Sequence, residues 1–237
     1  MVGRPKFEKF SPLTGKSLGF FPIASPADCA LAVEDARLSF LSWKETTIEF
    51  RGRLIRKAAR GLEDNIEELA NLVRLETGKP LSDSKAEILG AIEMSYMLAA
   101  HGRFPIGKLL PSAIPLRQTR LQRVPRGVAL LILTYNAPIP NLAWKIVPAL
   151  MAGNVAIVKP SQHTPASAER FVQILHDAGV PQEVLRVMHG DGAVAEALIK
   201  NCCELVSFTG SHPTGLLVME AASKTLAKTV IELGGSN

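Results

Sequence analysis

The sequence predicts an α/β fold built on a doubly wound, mostly parallel sheet. Two apolar runs, residues 127–133 and 155–158, are short and continuous enough to be strands buried on both faces. Between them, apolar residues recur at helical spacing, and Gly153 followed by Asn154 provides a helix stop. Strand and helix patterns then alternate through the rest of the chain. Parallel strands joined by helices bind ligands beyond their carboxyl ends, so we expect a site there.

The segment before this unit predicts one hairpin-like region and four helices. Residues 7–24 combine turn residues with apolar pieces and predict an irregular segment or a hairpin. Ser25 followed by proline is typical of a helix start, residues 64–67 are expected to cap the third helix, and Gly78 is expected to end it. The four helices are predicted over about residues 26–42, 47–62, 64–77 and 82–100. We expect them to cover one face of the sheet.

The remaining elements follow from the same patterns. Residues 107–125 have few helix signals and predict an extended strand or hairpin. After the central unit we predict a helix from about residue 165, a strand at 185–188, a helix ending near 200, a strand at 205–208, a helix at 213–223 and a strand at 229–232.

Composition limits the class of protein. The chain of 237 residues is 47% apolar, which indicates a globular protein with one large domain or two small ones. It has no apolar run of membrane-spanning length, and its first residues lack the apolar core of a signal peptide. Cys29, Cys202 and Cys203 form no CxxC pair, and His163, His176, His189 and His212 show no metal-ligand spacing. We therefore expect a reducing, cytoplasmic location and no metal site.

The formal net charge of +5 raises the question of a nucleic-acid partner. The densest basic stretch is Arg51, Arg53, Arg56, Lys57 and Arg60. That spacing fits the solvated face of a helix, and the other cations are scattered. We therefore predict neither a nucleic-acid partner nor a membrane partner.

Several motifs, taken in order, resemble the NAD(P)-dependent aldehyde dehydrogenases. They are residues 76–80 (ETGKP), 135–136 (YN), 144–154, 159–165 (KPSQHTP), 207–215 and 232–235 (ELGG). The resemblance covers essentially the whole chain, yet the chain spans only about half of the family's length. It implies a Rossmann-like coenzyme domain formed by residues 1–106 and 126–237, without the catalytic domain. Residues 107–125 would be an arm that pairs with a neighbouring subunit in a homo-oligomer, although on residues alone a plain surface hairpin is equally open.

A dinucleotide needs backbone N–H groups for its pyrophosphate and a polar partner for its ribose. The turn at Gly210 and Ser211 follows a strand and opens a helix, where Ser211 can cap the helix and bind a phosphate. The resemblance implies that Lys159 binds the adenosine ribose. Gln162 stands where many members have a glutamate that repels a 2′-phosphate, so NADP is open although NAD is favoured. The coenzyme-binding residues implied are Leu133, Thr134, Tyr135, Lys159, Ser161, Gln162, Gly190, Gly192, Thr209, Gly210, Ser211, Leu233 and Gly234.

Two residues are candidates for catalysis. Asn136 can be a simple turn residue or, as the resemblance implies, the asparagine that stabilises an oxyanion. Glu232 ends an apolar strand, where burial could raise its pKa and make it the general base that activates water. The alternative is a strand-end glutamate that faces solvent.

The function implied is oxidation of an aldehyde to a carboxylic acid through a cysteine thioester. The family's nucleophilic cysteine lies beyond the glutamate motif, past Asn237, while Cys202 and Cys203 precede a strand at its amino end. We therefore expect a truncated form that is inactive alone. One half of a split dehydrogenase, or a non-catalytic dinucleotide-binding or structural protein, are the alternatives. The absent half of the family's fold would normally cover residues 231–235 and the arm. We therefore expect exposed apolar surface and unpaired strand edges there, and association between chains.

Overall fold

The structure is a computed structural model that describes residues 4–103, 107–201 and 203–234. The strands are β1 Lys6–Phe10, β2 Ser17–Pro22, β3 Gly107–Leu110, β4 Thr119–Gln122, β5 Val128–Ile132, β6 Val155–Lys159, β7 Leu185–Val187, β8 Leu205–Gly210 and β9 Lys228–Leu233. The helices are α1 Pro26–Trp43, α2 Ile48–Asp64, α3 Ile66–Thr77, α4 Leu81–Ala100, α5 Pro138–Met151, α6 Pro165–Asp177, α7 Gly192–Lys200 and α8 His212–Ser223. Among the described residues, no helix combines the length and apolar character that a membrane crossing needs.

The predicted parallel sheet is confirmed. Five parallel strands lie in the order β7-β6-β5-β8-β9, and every residue of β5 and β6 is buried. The two βαβ crossovers that leave β5 toward β7 run in one direction, and those that lead to β8 and β9 run in the other. Right-handed crossovers therefore place α5 and α6 on one face and α7 and α8 on the opposite face.

The expectation that the first four helices cover one face of the sheet is wrong. Helix α1 packs against α7 and against β5 and β6, whereas α2, α3 and α4 pack on α5 and α6. Because α5 and α6 already cover their face of the sheet, the apolar stripes of α2, α3 and α4 are buried against helices instead. The result is an additional helical layer outside one face.

Two hairpins lie outside the central sheet. Strands β1 and β2 pair antiparallel, so the first segment is a hairpin rather than an irregular stretch. Strands β3 and β4 also pair antiparallel, which confirms the hairpin predicted within residues 107–125. All eight residues of β3 and β4 are exposed.

The helix ends agree with the predicted signals at the start of α1 and the end of α3, but not at the start of α3. The Ser25 hydroxyl accepts from the Asp28 amide at 3.1 Å while the Asp28 carboxylate accepts from the Ser25 amide at 2.9 Å, a complete capping box. Gly78 ends α3 with a left-handed φ of 84°. The predicted side-chain cap of α3 is absent, because Asn65 donates its amide to the Gly61 carbonyl of the preceding helix at 2.7 Å.

The basic stretch on α2 is not simply a solvated face. Arg51 is only 7% exposed, and its Nε donates to the carbonyl of Met151, the last residue of α5, at 3.1 Å. Arg56 donates to the Ala99 carbonyl near the end of α4, and Lys57 donates to the Asp177 carbonyl at the end of α6, both at 3.2 Å. These cations satisfy carbonyl groups that a helix end leaves without partners. They join α2 to three other helices.

Candidate functional site

A cleft of about 690 Å³ opens at the carboxyl ends of β5, β6 and β8. Chain connections leave β5 and β8 in opposite directions, so the strand order switches there and a crevice remains between the crossovers. Ten of the predicted coenzyme-binding residues line this cleft: Leu133, Thr134, Tyr135, Lys159, Ser161, Gln162, Gly192, Thr209, Gly210 and Ser211. Gly190, Asn136, Glu232, Leu233 and Gly234 are not among the residues that line it.

Lys159 places a buried ammonium group at the end of β6. The residue is 7% exposed, and its Nζ donates to the carbonyls of Gly190 at 2.9 Å and Pro160 at 3.1 Å. Burial lowers the pKa of Lys159 from 10.5 to about 8, although the charge of Asp191 acts in the opposite direction. A protonated lysine has three N–H donors, so one remains for a ligand in the cleft.

The glycine turn before α7 supports Lys159 and leaves space for a ligand. Gly190 has a φ of 146°, and a Cβ there would lie 2.3 Å from Cγ2 of Val194, so no other residue fits without a shift. Asp191 caps α7 by accepting from the Ala193 amide at 2.9 Å. A Cβ at Gly192 would meet no atom within 4 Å. The first turn of α7 is therefore open on the side that faces the cleft.

The turn between β8 and α8 differs in detail from the prediction. Strand β8 continues through Gly210, so Thr209 and Gly210 pair with β9 instead of forming a turn. Ser211 precedes α8, but its hydroxyl contacts that of Thr214 at 2.9 Å and makes no cap hydrogen bond. A Cβ at Gly210 would lie 2.5 Å from the ring of Phe208. Packing against Phe208 is thus sufficient to require glycine there.

Asn136 lies between β5 and α5, with its backbone held and its side chain exposed. The carbonyl of Asn136 accepts from Lys79 Nζ at 2.5 Å. The exposed side chain makes no hydrogen bond to any residue that the structure describes. The preceding residue, Tyr135, packs edge to face on the ring of His163 with 5.1 Å between centroids.

Glu232 is not in the buried environment that its place at the end of an apolar strand suggested. It lies on β9, the edge strand, and its side chain is 59% exposed. Its Oε2 accepts from the Thr209 hydroxyl at 3.0 Å. Beside it, the Gly234 amide donates to the Gly210 carbonyl at 3.1 Å, while Leu233 is partly exposed. The solvent-facing alternative therefore describes Glu232 in this chain, and Gly235 of the same motif lies outside the described residues.

Lys145, for which the sequence predicts no role, lies close to Glu232 in the structure. Lys145 is buried on α5, donates to the Ser207 hydroxyl at 2.7 Å and lies 4.0 Å from Oε2 of Glu232. Burial lowers the pKa of Lys145, while Glu232 acts to raise it. Its burial could have been predicted from the sequence, because Lys145 follows Leu142 by three residues and precedes Ile146, on the inward face of α5.

The described cysteines lie away from the cleft. Cys203 is buried just before β8, at its amino end, and Cys29 is buried in α1, where burial raises the pKa of its thiol. Neither lines the cleft, and Cys202 lies outside the described residues. Among the residues described, no three metal-ligating side chains form a cluster.

Comparison with known proteins agrees with this geometry. The chain matches the model of the Aldehyde dehydrogenase family over residues 2–237. It is 34% identical over 230 residues to a D-glyceraldehyde dehydrogenase (NADP(+)) of Thermoplasma acidophilum, covering 96% of this chain and 47% of the relative. It is 33% identical over 229 residues to a succinate semialdehyde dehydrogenase of Acinetobacter baylyi, with the same two coverages.

A solved structure gives the same result. Betaine aldehyde dehydrogenase from Staphylococcus aureus in complex with NAD+ superposes with a TM-score of 0.94 at 30% identity, over 98% of this chain and 47% of that one. The chain therefore spans about half the length of the relatives that it matches. The family-model match and the identity to these relatives show that the chain belongs to the aldehyde dehydrogenase family.

Proposed function

We propose that this chain is the coenzyme-binding part of an enzyme that oxidises an aldehyde to a carboxylic acid with NAD(P)+. The observation that carries the proposal is the cleft at the strand-order switch, which brings Lys159, Ser161 and Ser211 around one volume. The third N–H of Lys159 suits a ribose hydroxyl, and the first turns of α7 and α8 offer backbone N–H groups to a pyrophosphate. We assign residues 1–106 and 126–237 to this domain.

The reaction would divide between this chain and polypeptide outside it. Bound NAD(P)+ supplies the acceptor for the hydride that leaves the aldehyde carbon. Asn136 would donate its side-chain amide to the developing oxyanion, and Glu232 would activate water once further polypeptide covers its exposed side chain. Since the described cysteines are buried away from the cleft, the nucleophilic thiol would come from elsewhere. We propose that the isolated chain binds coenzyme without turning over an aldehyde.

We propose that the chain binds NAD in preference to NADP while still accepting both. Gln162 carries no charge that would repel a 2′-phosphate, which supports NADP binding. Asp191 also lines the cleft, and its carboxylate disfavours an additional phosphate, whereas Glu196 is paired with Lys200 at 2.7 Å. A Gln162→Glu substitution should therefore weaken NADP+ more than NAD+. Equal affinities of the variant and the native chain for NADP+ would contradict this assignment.

We propose that the β3–β4 hairpin, within residues 107–125, is an arm that pairs with a second subunit of a homo-oligomer. Its eight strand residues are exposed and its outer edges lack strand partners among the described residues. We also propose a cytoplasmic location, which the free, buried thiol of Cys29 supports.

Calorimetric titration of the 237-residue chain with NAD+ and NADP+ tests the coenzyme proposal, followed by an aldehyde-dependent NADH assay on the same sample. We expect binding without turnover, and a Lys159→Met variant that binds about tenfold more weakly because it lacks a charge-assisted hydrogen bond. Lys228→Met is the matched control, since Lys228 lies at the amino end of β9, away from the cleft. If neither NAD+ nor NADP+ binds the folded chain, the proposal is overturned.

A further inference from the structure

The backbone of the short segment before α5 is held from two directions. Lys79 Nζ donates to the carbonyl of Asn136 at 2.5 Å. The next carbonyl, that of Ala137, accepts from the amide of Asn141 at 3.1 Å and from its Nδ2 at 2.7 Å. The hydrogen bonds from Asn141 belong to helix α5, whereas the one from Lys79 comes from a residue 57 positions earlier than Asn136.

Lys79 is itself held firmly. It forms an ion pair with Glu87, and the side chains of the two residues are only 20% and 17% exposed. Burial raises the pKa of Glu87, and Lys79 acts to lower it. Lys79 Nζ donates to Oε1 of Glu87, whereas Oε2 has no hydrogen-bond partner among the described residues, so Lys79 supplies the hydrogen bonding of this carboxylate. Pro80, which follows Lys79, restricts the backbone further because its ring fixes φ.

The side chain of Asn136 contrasts with its backbone. It is exposed and makes no hydrogen bond within the part of the chain that the structure describes. Ala137 has non-helical dihedral angles of −141° and 72°, so helical hydrogen bonding does not fix the peptide before it. A fixed carbonyl with a free side-chain amide is the arrangement that aims an N–H donor at a ligand.

We propose that Lys79 is a positioning residue for Asn136. By holding the Asn136 carbonyl, the Lys79–Glu87 pair prevents rotation of the peptide between Asn136 and Ala137, and so fixes the direction of the Asn136 side chain. The role in catalysis rests on the function proposed above, in which Asn136 stabilises an oxyanion. The positioning itself is a property of the folded chain and can be measured without a substrate.

The test is nuclear magnetic resonance of the chain labelled with ¹⁵N at asparagine, with Asn136→Asp used to assign the Asn136 signals. Removing Lys79 alone would leave the Glu87 carboxylate buried without a partner and could unfold the chain. The decisive variant is therefore Lys79→Met combined with Glu87→Leu, which replaces the ion pair with apolar groups. Lys85→Met is the control, because Lys85 is on α4 like Glu87 but pairs with Glu67 instead.

In the double variant we expect the backbone and side-chain signals of Asn136 to shift or broaden, because its carbonyl is no longer held by Lys79. Asn154, whose side chain accepts from the Gly127 amide at 3.1 Å, should be unchanged. The single variant Lys79→Arg keeps a cation beside Glu87 and should retain the native signals. Native Asn136 signals in the folded double variant would overturn the proposal, as would changes spread over the signals of every asparagine.

The outcome is separable from that of the proposed function. If native chain fails to bind NAD+ while the double variant releases Asn136, the coenzyme assignment is wrong and the positioning by Lys79 stands. If NAD+ binds the native chain and the Asn136 signals do not change in the double variant, the coenzyme assignment stands and the positioning by Lys79 is wrong. Because Lys79 does not line the cleft, the double variant should keep its affinity for NAD+.

Discussion

At the scale of the residue, most of the N–H donors of the Lys159 ammonium group are already occupied within the chain. Two of its three N–H donors point to the carbonyls of Gly190 and Pro160, which leaves one for a ligand. A neutral lysine has two N–H groups, and both are needed by these carbonyls. Since the pKa of Lys159 is about 8, the donor available to a ligand is lost within the range of ordinary buffers.

We therefore predict that coenzyme affinity falls as pH rises through about 8. The charged form dominates at pH 7 and the neutral form at pH 9, so NAD+ should bind about tenfold more weakly at the higher pH. Calorimetry at the two values measures this change. The control is Lys159→Met, which should bind weakly with little difference between them. A native chain with equal affinity at pH 7 and pH 9 would show that Lys159 does not donate to the coenzyme.

At the scale of the element, helix α6 is capped by a residue from another helix. Thr164 precedes α6 but makes no side-chain cap hydrogen bond. Glu76, near the end of α3, accepts instead from the amides of Ala166 at 2.7 Å and Ser167 at 3.0 Å. Burial raises the pKa of Glu76, while these hydrogen bonds and the charge of Lys9 act to lower it. The first residue of the ETGKP motif therefore joins two helices across 90 positions.

Replacing Glu76 with alanine should lower the free energy of unfolding by about 2–4 kcal/mol, because two buried N–H groups lose a charged acceptor. Glu76→Gln should cost less, since its amide oxygen can still accept from one of them. Urea denaturation followed by circular dichroism measures both values. A Glu76→Ala variant as stable as the native chain would mean that solvent or another group satisfies the start of α6. Glu67→Ala, at an exposed position of the same helix, is the control.

At the scale of the whole molecule, apolar groups and strand edges are left uncovered. Strand β9 pairs only with β8 among the described strands, and Val230 and Leu233 on it are 43% and 40% exposed. In the β3–β4 hairpin, Leu109 and Leu121 are also exposed. Unpaired edges with apolar side chains favour pairing between chains.

We predict that the purified chain associates as its concentration rises, and that Val230→Lys reduces this association, because a charge on the edge strand opposes pairing. Sedimentation velocity over a concentration series measures the effect. Ser82→Lys, on the exposed first turn of α4, adds the same charge away from the edge and should leave association unchanged. A single monomeric species at every concentration would contradict the prediction.

The sequence alone was sufficient for the order of strands and helices along the chain and for the edge of the sheet at which the cleft lies. Both follow from local patterns: buried strands read as continuous apolar runs, helices as apolar spacing with caps, and parallel strands open their carboxyl ends to ligands. This is why Lys159 and Ser211 were correctly expected at the same edge of the sheet. Ser25 and Gly78 were equally readable, because their hydrogen bonds or dihedral angles are local.

Tertiary structure alone decided what the charged residues do. Four charged side chains form hydrogen bonds with residues far away in the sequence. The pairs are Arg51 with Met151 (100 positions apart), Glu76 with Ser167 (91), Lys79 with Asn136 (57) and Lys145 with Ser207 (62). The exposure of Glu232 likewise depends on which elements lie beside the edge strand. A charge is stable inside a protein only beside its hydrogen-bonding partners, and packing of the whole chain determines whether those partners meet.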